Sequence, residues 1–205
     1  MPDDVVIYLG PTLDLSTAST LLNATYLPPV KRGDLDEVAP ETRIVGIVDG
    51  VFHQNLAVSP KEVIALLDRG VCVYGAASIG ALRAAETHIY GMIGVGEIYK
   101  LYRDGEIDAD DEVAVAYDPL TNRAVSEPMV NIRSALKAGV TEGIISSNEA
   151  GEIIDELRRT YFPSRSYQLV ERMCPTLAPF LHAKRYDLKR DDAELLLRTI
   201  AALPH

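Results

Sequence analysis

Ser78 stands where a short apolar run meets a helix through residues without bulk, in the order Val71-Cys72-Val73-Tyr74-Gly75-Ala76-Ala77-Ser78-Ile79-Gly80. The context Ala76-Ala77-Ser78-Ile79-Gly80 is one substitution from the G-x-S-x-G nucleophile elbow, with Ala76 at the first glycine position. A serine so placed attacks a carbonyl when a base takes its proton, and the N–H groups that follow it stabilise the oxyanion. Asp49 closes an apolar run, and His53 lies four residues on, the one histidine beside a predicted strand end. Asp49, His53 and Ser78 therefore read as orienting group, base and nucleophile. In a second reading Ser78 only positions the ligand, and His53 or Asp49 activates water. The competing structural readings are a helix N-cap for Ser78, a turn for Asp49-Gly50, and a packing or surface role for His53.

The same joint suits an anion, because a helix N-terminus favours negative charge and small residues let backbone N–H groups approach it. Gly10, Gly50, Gly75, Ala76 and Ala77 form the expected backbone cradle, and Arg32 and Asp34 flank it from the loop Lys31-Arg32-Gly33-Asp34. Arg83 and Glu86 lie on the serine helix, which is otherwise rich in Ala, Leu and Ile. A charged pair on a helix packed on both sides is costly unless it is matched, which favours a role in fixing the site. A nucleotide-binding role for residues 75–80 is disfavoured, since the spacing fits neither G-x-G-x-x-G nor a P-loop.

These residues need strand ends to hold them. Apolar runs at 5–9, 24–27, 43–48 and 71–74 predict buried strands, separated by a helix capped by Asp14 or Ser16, a helix opening at Ser59-Pro60-Lys61-Glu62, and the serine helix through about residue 88. Alternation of this kind predicts a parallel α/β sheet, Rossmann-like, in which ligands bind beyond the carboxyl ends of the strands. A helix over 98–103, closed at Asp104-Gly105, and a strand over 113–117 follow. After residue 125 the pattern turns helical, at 129–138, 147–161, 167–173 and 190–203, so the expected division is an α/β core over 1–125 and a helical unit over 126–205.

The chain has 205 residues and a net charge of −10, with 30 Asp+Glu against 20 Lys+Arg, which argues against general affinity for nucleic acid. No apolar run approaches the roughly 20 residues of a membrane span. Asp3 and Asp4 stand where a secretory signal would be basic, so the expectation is a cytoplasmic protein. Cys72 and Cys174 lack metal-ligand spacing and read as two reduced core thiols. No metal or cofactor is expected, and homo-oligomerisation is left open.

Several blocks in order give the chain a resemblance to the TfuA-like family over roughly residues 5–118. They are Leu9-Gly10-Pro11-Thr12-Leu13, Arg32-Gly33-Asp34, Val48-Asp49-Gly50-Val51-Phe52, Lys61-Glu62, the block from Tyr74 to Glu86, Gly91-Met92 with Gly94-Val95-Gly96, Tyr102-Arg103-Asp104-Gly105 and Asp110-Asp111-Glu112-Val113-Ala114. Many relatives carry Trp-His before Lys-Glu, where this chain has Ser59-Pro60. The resemblance implies an accessory role in peptide-backbone thioamidation beside a YcaO-type cyclodehydratase. It further implies sulfur supply by hydrolysis of a thiocarboxylated ThiS-like carrier; the alternative is a non-enzymatic adaptor that recruits the carrier or a sulfurtransferase.

Overall fold

The computed structural model describes residues 4–52, 56–118, 120–121, 123–184 and 186–204, and they form two compact units. The first comprises residues up to 110 together with 189–205, and the second spans 111–188. In the first unit β1 (Val5–Tyr8), β2 (Thr25–Leu27), β3 (Ile44–Ile47), β4 (Cys72–Gly75) and β5 (Ile93–Gly94) make a parallel sheet of order 2-1-3-4-5. The helices are α1 (Leu15–Leu21), α2 (Pro60–Asp68), α3 (Ile79–Thr87) and α4 (Glu97–Arg103), joined from far along the chain by α9 (Leu188–Ala201). Both faces of the sheet are covered, which is why β1 and β3 are unbroken apolar runs. One core packs Val6, Val45, Ile47 and Val73 with Val63 and Leu66 of α2 and Ile79 and Ala84 of α3. The other packs Ile7, Val48 and Tyr74 with Ala18 of α1 and Ala193, Leu196, Leu197 and Ile200 of α9.

Local chemistry sets the element ends. Asp14 caps α1 by accepting from the Thr17 N–H, and Ser59 and Glu62 close a capping box on α2, with Pro60 at its start. Gly105, at φ +73°, ends α4 as the sequence predicts. Gly46 in β3 lets α9 come close: a Cβ there would lie 3.2 Å from Leu196 Cδ2.

The second unit contains the hairpin β6 (Tyr117–Asp118) and β7 (Arg123–Ala124), then α5 (Met129–Thr141), α6 (Ser147–Arg159), α7 (Tyr167–Met173) and α8 (Ala178–Ala183). Met129, Ile132, Leu136, Ile153, Leu157, Val170 and Leu177 are its core. Arg165 is buried with its donors satisfied by the Leu157, Thr160 and Asp111 carbonyls and the Asp111 carboxylate, 2.6 Å away.

Four expectations change. The helix predicted over 190–203 belongs with the sheet, because its apolar side covers β1 and β3, so the division is not a single cut near 125. Residues 113–116 form no strand, and Tyr117 opens β6 of the small hairpin; the edge place beside β4 is taken by Ile93–Gly94, a two-residue strand too short to announce itself. Helix α8 adds a further helix to the ranges expected after residue 125. Cys72 is exposed, being the first residue of β4 at the amino edge of the sheet, so it is neither a core thiol nor near the carboxyl-edge loops.

Candidate functional site

In a sheet of this order the chain leaves β1 in one direction and β3 in the other, and the loops beyond their carboxyl ends flank the crevice. Asp49 sits there, 3% exposed. Its carboxylate accepts from the Gly10 N–H at 2.9 Å, the Thr12 N–H at 3.0 Å and the Thr12 hydroxyl at 2.6 Å. The buried ammonium of Lys189, in the first turn of α9, lies 3.9 Å from it. The N–H groups that would seat a ligand's anion at the β1 loop are thus occupied by the protein's own carboxylate. Asp49 ties two strand ends together, and Gly10 donates to it.

Beyond β4 the backbone turns within three residues. Ala77 has φ +65°, the sole non-glycine residue in that region among those described, and the Ser78 N–H donates back to the Ala76 carbonyl at 2.7 Å. This is a γ-turn with a strained centre. The strained position of an elbow therefore falls on Ala77, with Gly75 two residues before it, and not on Ser78. Ser78 is 1% exposed and its side chain makes no capping bond to α3. Ala76 and Ala77 are fully buried beside it. The glycines serve internal packing: a Cβ on Gly75 would lie 2.2 Å from the Gly80 carbonyl oxygen, and one on Gly80 would lie 1.8 Å from the Ile47 carbonyl oxygen. Gly50 abuts the same turn, its would-be Cβ 2.6 Å from Ile79 Cγ2. The small residues thus bring α3 down onto β3 instead of opening a notch for a ligand.

The open space lies on the outer side of α3. A cleft of about 620 Å³ is lined by Arg32, Ser59, Pro60, Ile79, Leu82, Arg83, Glu86, Asp108 and Asp110, among others. It gathers three of the predicted binding residues, Arg32, Arg83 and Glu86. Arg83 is held from two sides: its Nε donates to the Val58 carbonyl at 2.7 Å and its Nη1 to Glu86 at 2.5 Å. The side chain is 12% exposed, so its guanidinium is fixed within the wall of the cleft. Arg32 is anchored through its backbone N–H, which donates to the Leu56 carbonyl at 2.7 Å. Beneath it the Glu62 carboxylate accepts from the Gly33 N–H. Burial opposes the charge of Glu62, yet the bonds from Gly33 and Ser59, with Arg32 close by, hold its carboxyl below the usual range.

Asp34 folds back into its own loop, accepting from the Lys31 N–H at 2.9 Å, while the Tyr8 hydroxyl donates to its carbonyl. It does not line the cleft. His53 lies outside the described residues. Lys189 and Asp192 are the buried charged residues at this edge that the sequence reading missed. Asp192 accepts from the Glu97 and Ile98 N–H groups at 2.9 and 2.8 Å, capping α4 from a helix 95 residues away.

Burial pushes the Asp192 carboxyl up to about 6, against the pull of those two N–H groups. A carboxyl whose pKa is higher folded than unfolded binds its proton more tightly in the folded state. Its contribution to stability is therefore complete below the unfolded value of roughly 4 and declines as pH rises through 6. The expected loss across that window is about 3 kcal/mol. Urea unfolding at pH 4, 5, 6 and 7 should show the stability of wild type relative to Asp192→Asn declining across this window, the difference cancelling the opposite contribution of carboxyls such as Glu62.

An open parallel sheet of order 2-1-3-4-5, with an arginine-walled cleft above its carboxyl-edge loops, defines a doubly wound α/β protein. Among the described residues no helix is long and apolar enough to cross a membrane, and no group of His, Cys, Asp and Glu has the arrangement of a metal site. The family model described as TfuA-like protein matches residues 49–166, more than half of the chain, and the chain belongs to the TfuA-like family. That match runs further into the helical unit than the motif blocks do, and it leaves out Leu9–Leu13 and Arg32-Gly33-Asp34. A search of curated proteins gave no match.

Proposed function

We propose that this protein is an accessory of peptide-backbone thioamidation, holding the thiocarboxylated tail of a ThiS-like carrier so that water releases its sulfur for a YcaO-type enzyme in the cytoplasm. The observation that carries the reading is Arg83, largely buried, fixed by Val58 and Glu86, and presented at the wall of a 620 Å³ cleft. A guanidinium held in this way is a ready partner for a carboxylate-like group. The step balances as R–COS⁻ + H₂O → R–COO⁻ + H₂S: water oxygen bonds to the acyl carbon, the carbon–sulfur bond breaks, and sulfur leaves with both water protons. Arg83 would neutralise the anionic tail and the charge that builds on the acyl oxygen.

Burial of the Ser78 hydroxyl at 1% exposure supports water, not serine, as the nucleophile. The same burial, with the Asp49 carboxylate engaged by three donors and Lys189, favours as second reading the non-enzymatic adaptor.

Purified chain and thiocarboxylated carrier, without any YcaO enzyme, separate the two by the rate of sulfide release. Release above the protein-free rate is expected, with Ser78→Ala within twofold of wild type and Arg83→Ala binding the carrier about 30-fold more weakly. Arg83→Lys should recover part of that affinity. Carrier binding without sulfide release would establish the adaptor. Loss of release in a folded Ser78→Ala variant would instead restore covalent attack by that serine.

A further inference from the structure

The walls of the cleft carry charges of opposite sign. Arg32 comes from the loop after β2 and Arg83 from α3, whereas Asp108 and Asp110 come from the segment after α4. Glu86 is already paired with Arg83. Asp108 and Asp110 are exposed and make no ion pair among the described residues. The three carboxylates outnumber the two guanidiniums, so a small free anion entering the cleft meets a net repulsive field. The volume is in the range that encloses a drug-sized ligand, more than a pair of side-chain-free glycines fills.

Resting on the reading of this cleft as a tail site, we infer that it selects a dipolar peptide end: a terminal carboxylate or thiocarboxylate against Arg83 and a lysine or arginine a few residues upstream against Asp108 and Asp110. The anionic end alone gains from one wall and loses to the other. A cation a few extended residues away turns the second wall from repulsive to attractive, and each residue of reach adds roughly 3.3–3.5 Å. The apolar lining from Ile79, Leu82 and Pro60 accommodates the chain between the two charges. The acidic segment thereby acts as a filter on which tails are admitted, apart from any role in the chemistry.

Fluorescein-labelled hexapeptides ending in Gly-Gly with a free carboxylate test this by anisotropy on the full chain. The residue third, fourth or fifth from the end is Ala, Lys or Glu. At one of these positions Lys should bind about fivefold tighter than Ala, and Glu correspondingly weaker. The double variant Asp108→Asn/Asp110→Asn, both at exposed positions, should erase the difference while the Ala peptide binds as well as before or better. Equal binding of Lys and Ala peptides at all three positions, or a Lys preference that survives the double variant, overturns the inference. The tail-site reading is scored separately, by carboxylate against C-terminal amide on the Ala peptide and by Arg83→Ala. A carboxylate preference that depends on Arg83, without a Lys preference, leaves that reading standing and removes only this inference. Failure of every peptide to bind removes both.

Discussion

Gly80→Ala should destabilise the protein severely. The added Cβ would sit 1.8 Å from the Ile47 carbonyl oxygen and 2.6 Å from its carbon, both backbone atoms of a central strand. A flexible side chain could swing aside, but a strand paired on both edges cannot. Either α3 lifts off the sheet or β3 bends, and in each case the packing of Ile79 and Ala84 against Ile47 and Val73 is disturbed. The expected loss is about 3–5 kcal/mol, at the severe end for a single methyl group. Urea midpoints by circular dichroism would measure it. Gly151→Ala is the control, since a Cβ there meets nothing within 4 Å in the interior of α6. That change should stabilise the protein by roughly 0.5–1 kcal/mol. Should Gly80→Ala unfold at the wild-type urea concentration, the close contact between α3 and β3 is wrong.

Asp49→Ala should be of similar size for an electrostatic reason. The substitution removes the acceptor for two N–H groups and a hydroxyl and takes a carboxylate from within 3.9 Å of the Lys189 ammonium. Leaving a buried donor without its acceptor costs about 1–3 kcal/mol for each group, so the loss is again about 3–5 kcal/mol. Asp49→Asn retains one oxygen as acceptor and should lose less. Were Asp49 a base with no structural duty, both variants would unfold at the wild-type urea concentration while sulfide release fell.

Much of the sheet was readable in the chain because its strands are continuous apolar runs closed by Gly, Pro or Asp, and because the α2 start carries Ser, Pro and Glu in capping order. The parallel arrangement follows from that alternation. Residues 75–80 were harder. Glycine and alanine at a strand–helix joint look the same whether they admit a ligand or another piece of backbone, and here the fold puts the Ile47 carbonyl in that space. Arg32 and the Arg83–Glu86 pair come from sequence blocks far apart, and their shared cleft depends on how the loop after β2 and the helices α2 and α3 lie side by side. Lys189 and Asp192 did leave a trace. They fall at the helical spacing of Ala193, Leu196 and Ile200, on the buried side of α9, in a polar run that reads as a solvated first turn. Placing that helix on the sheet needed long-range contact, which no local pattern supplies.

The return of α9 to the sheet also governs when this protein can mature on the ribosome. Ile7, Val48 and Tyr74 emerge early, yet Leu196, Leu197 and Ile200 that shield them follow the whole of 111–188. At ordinary translation speeds that interval is on the order of 10 s. During it the nascent chain displays a sticky, half-finished face, which makes it a natural client for chaperones and leaves prematurely terminated products prone to clump.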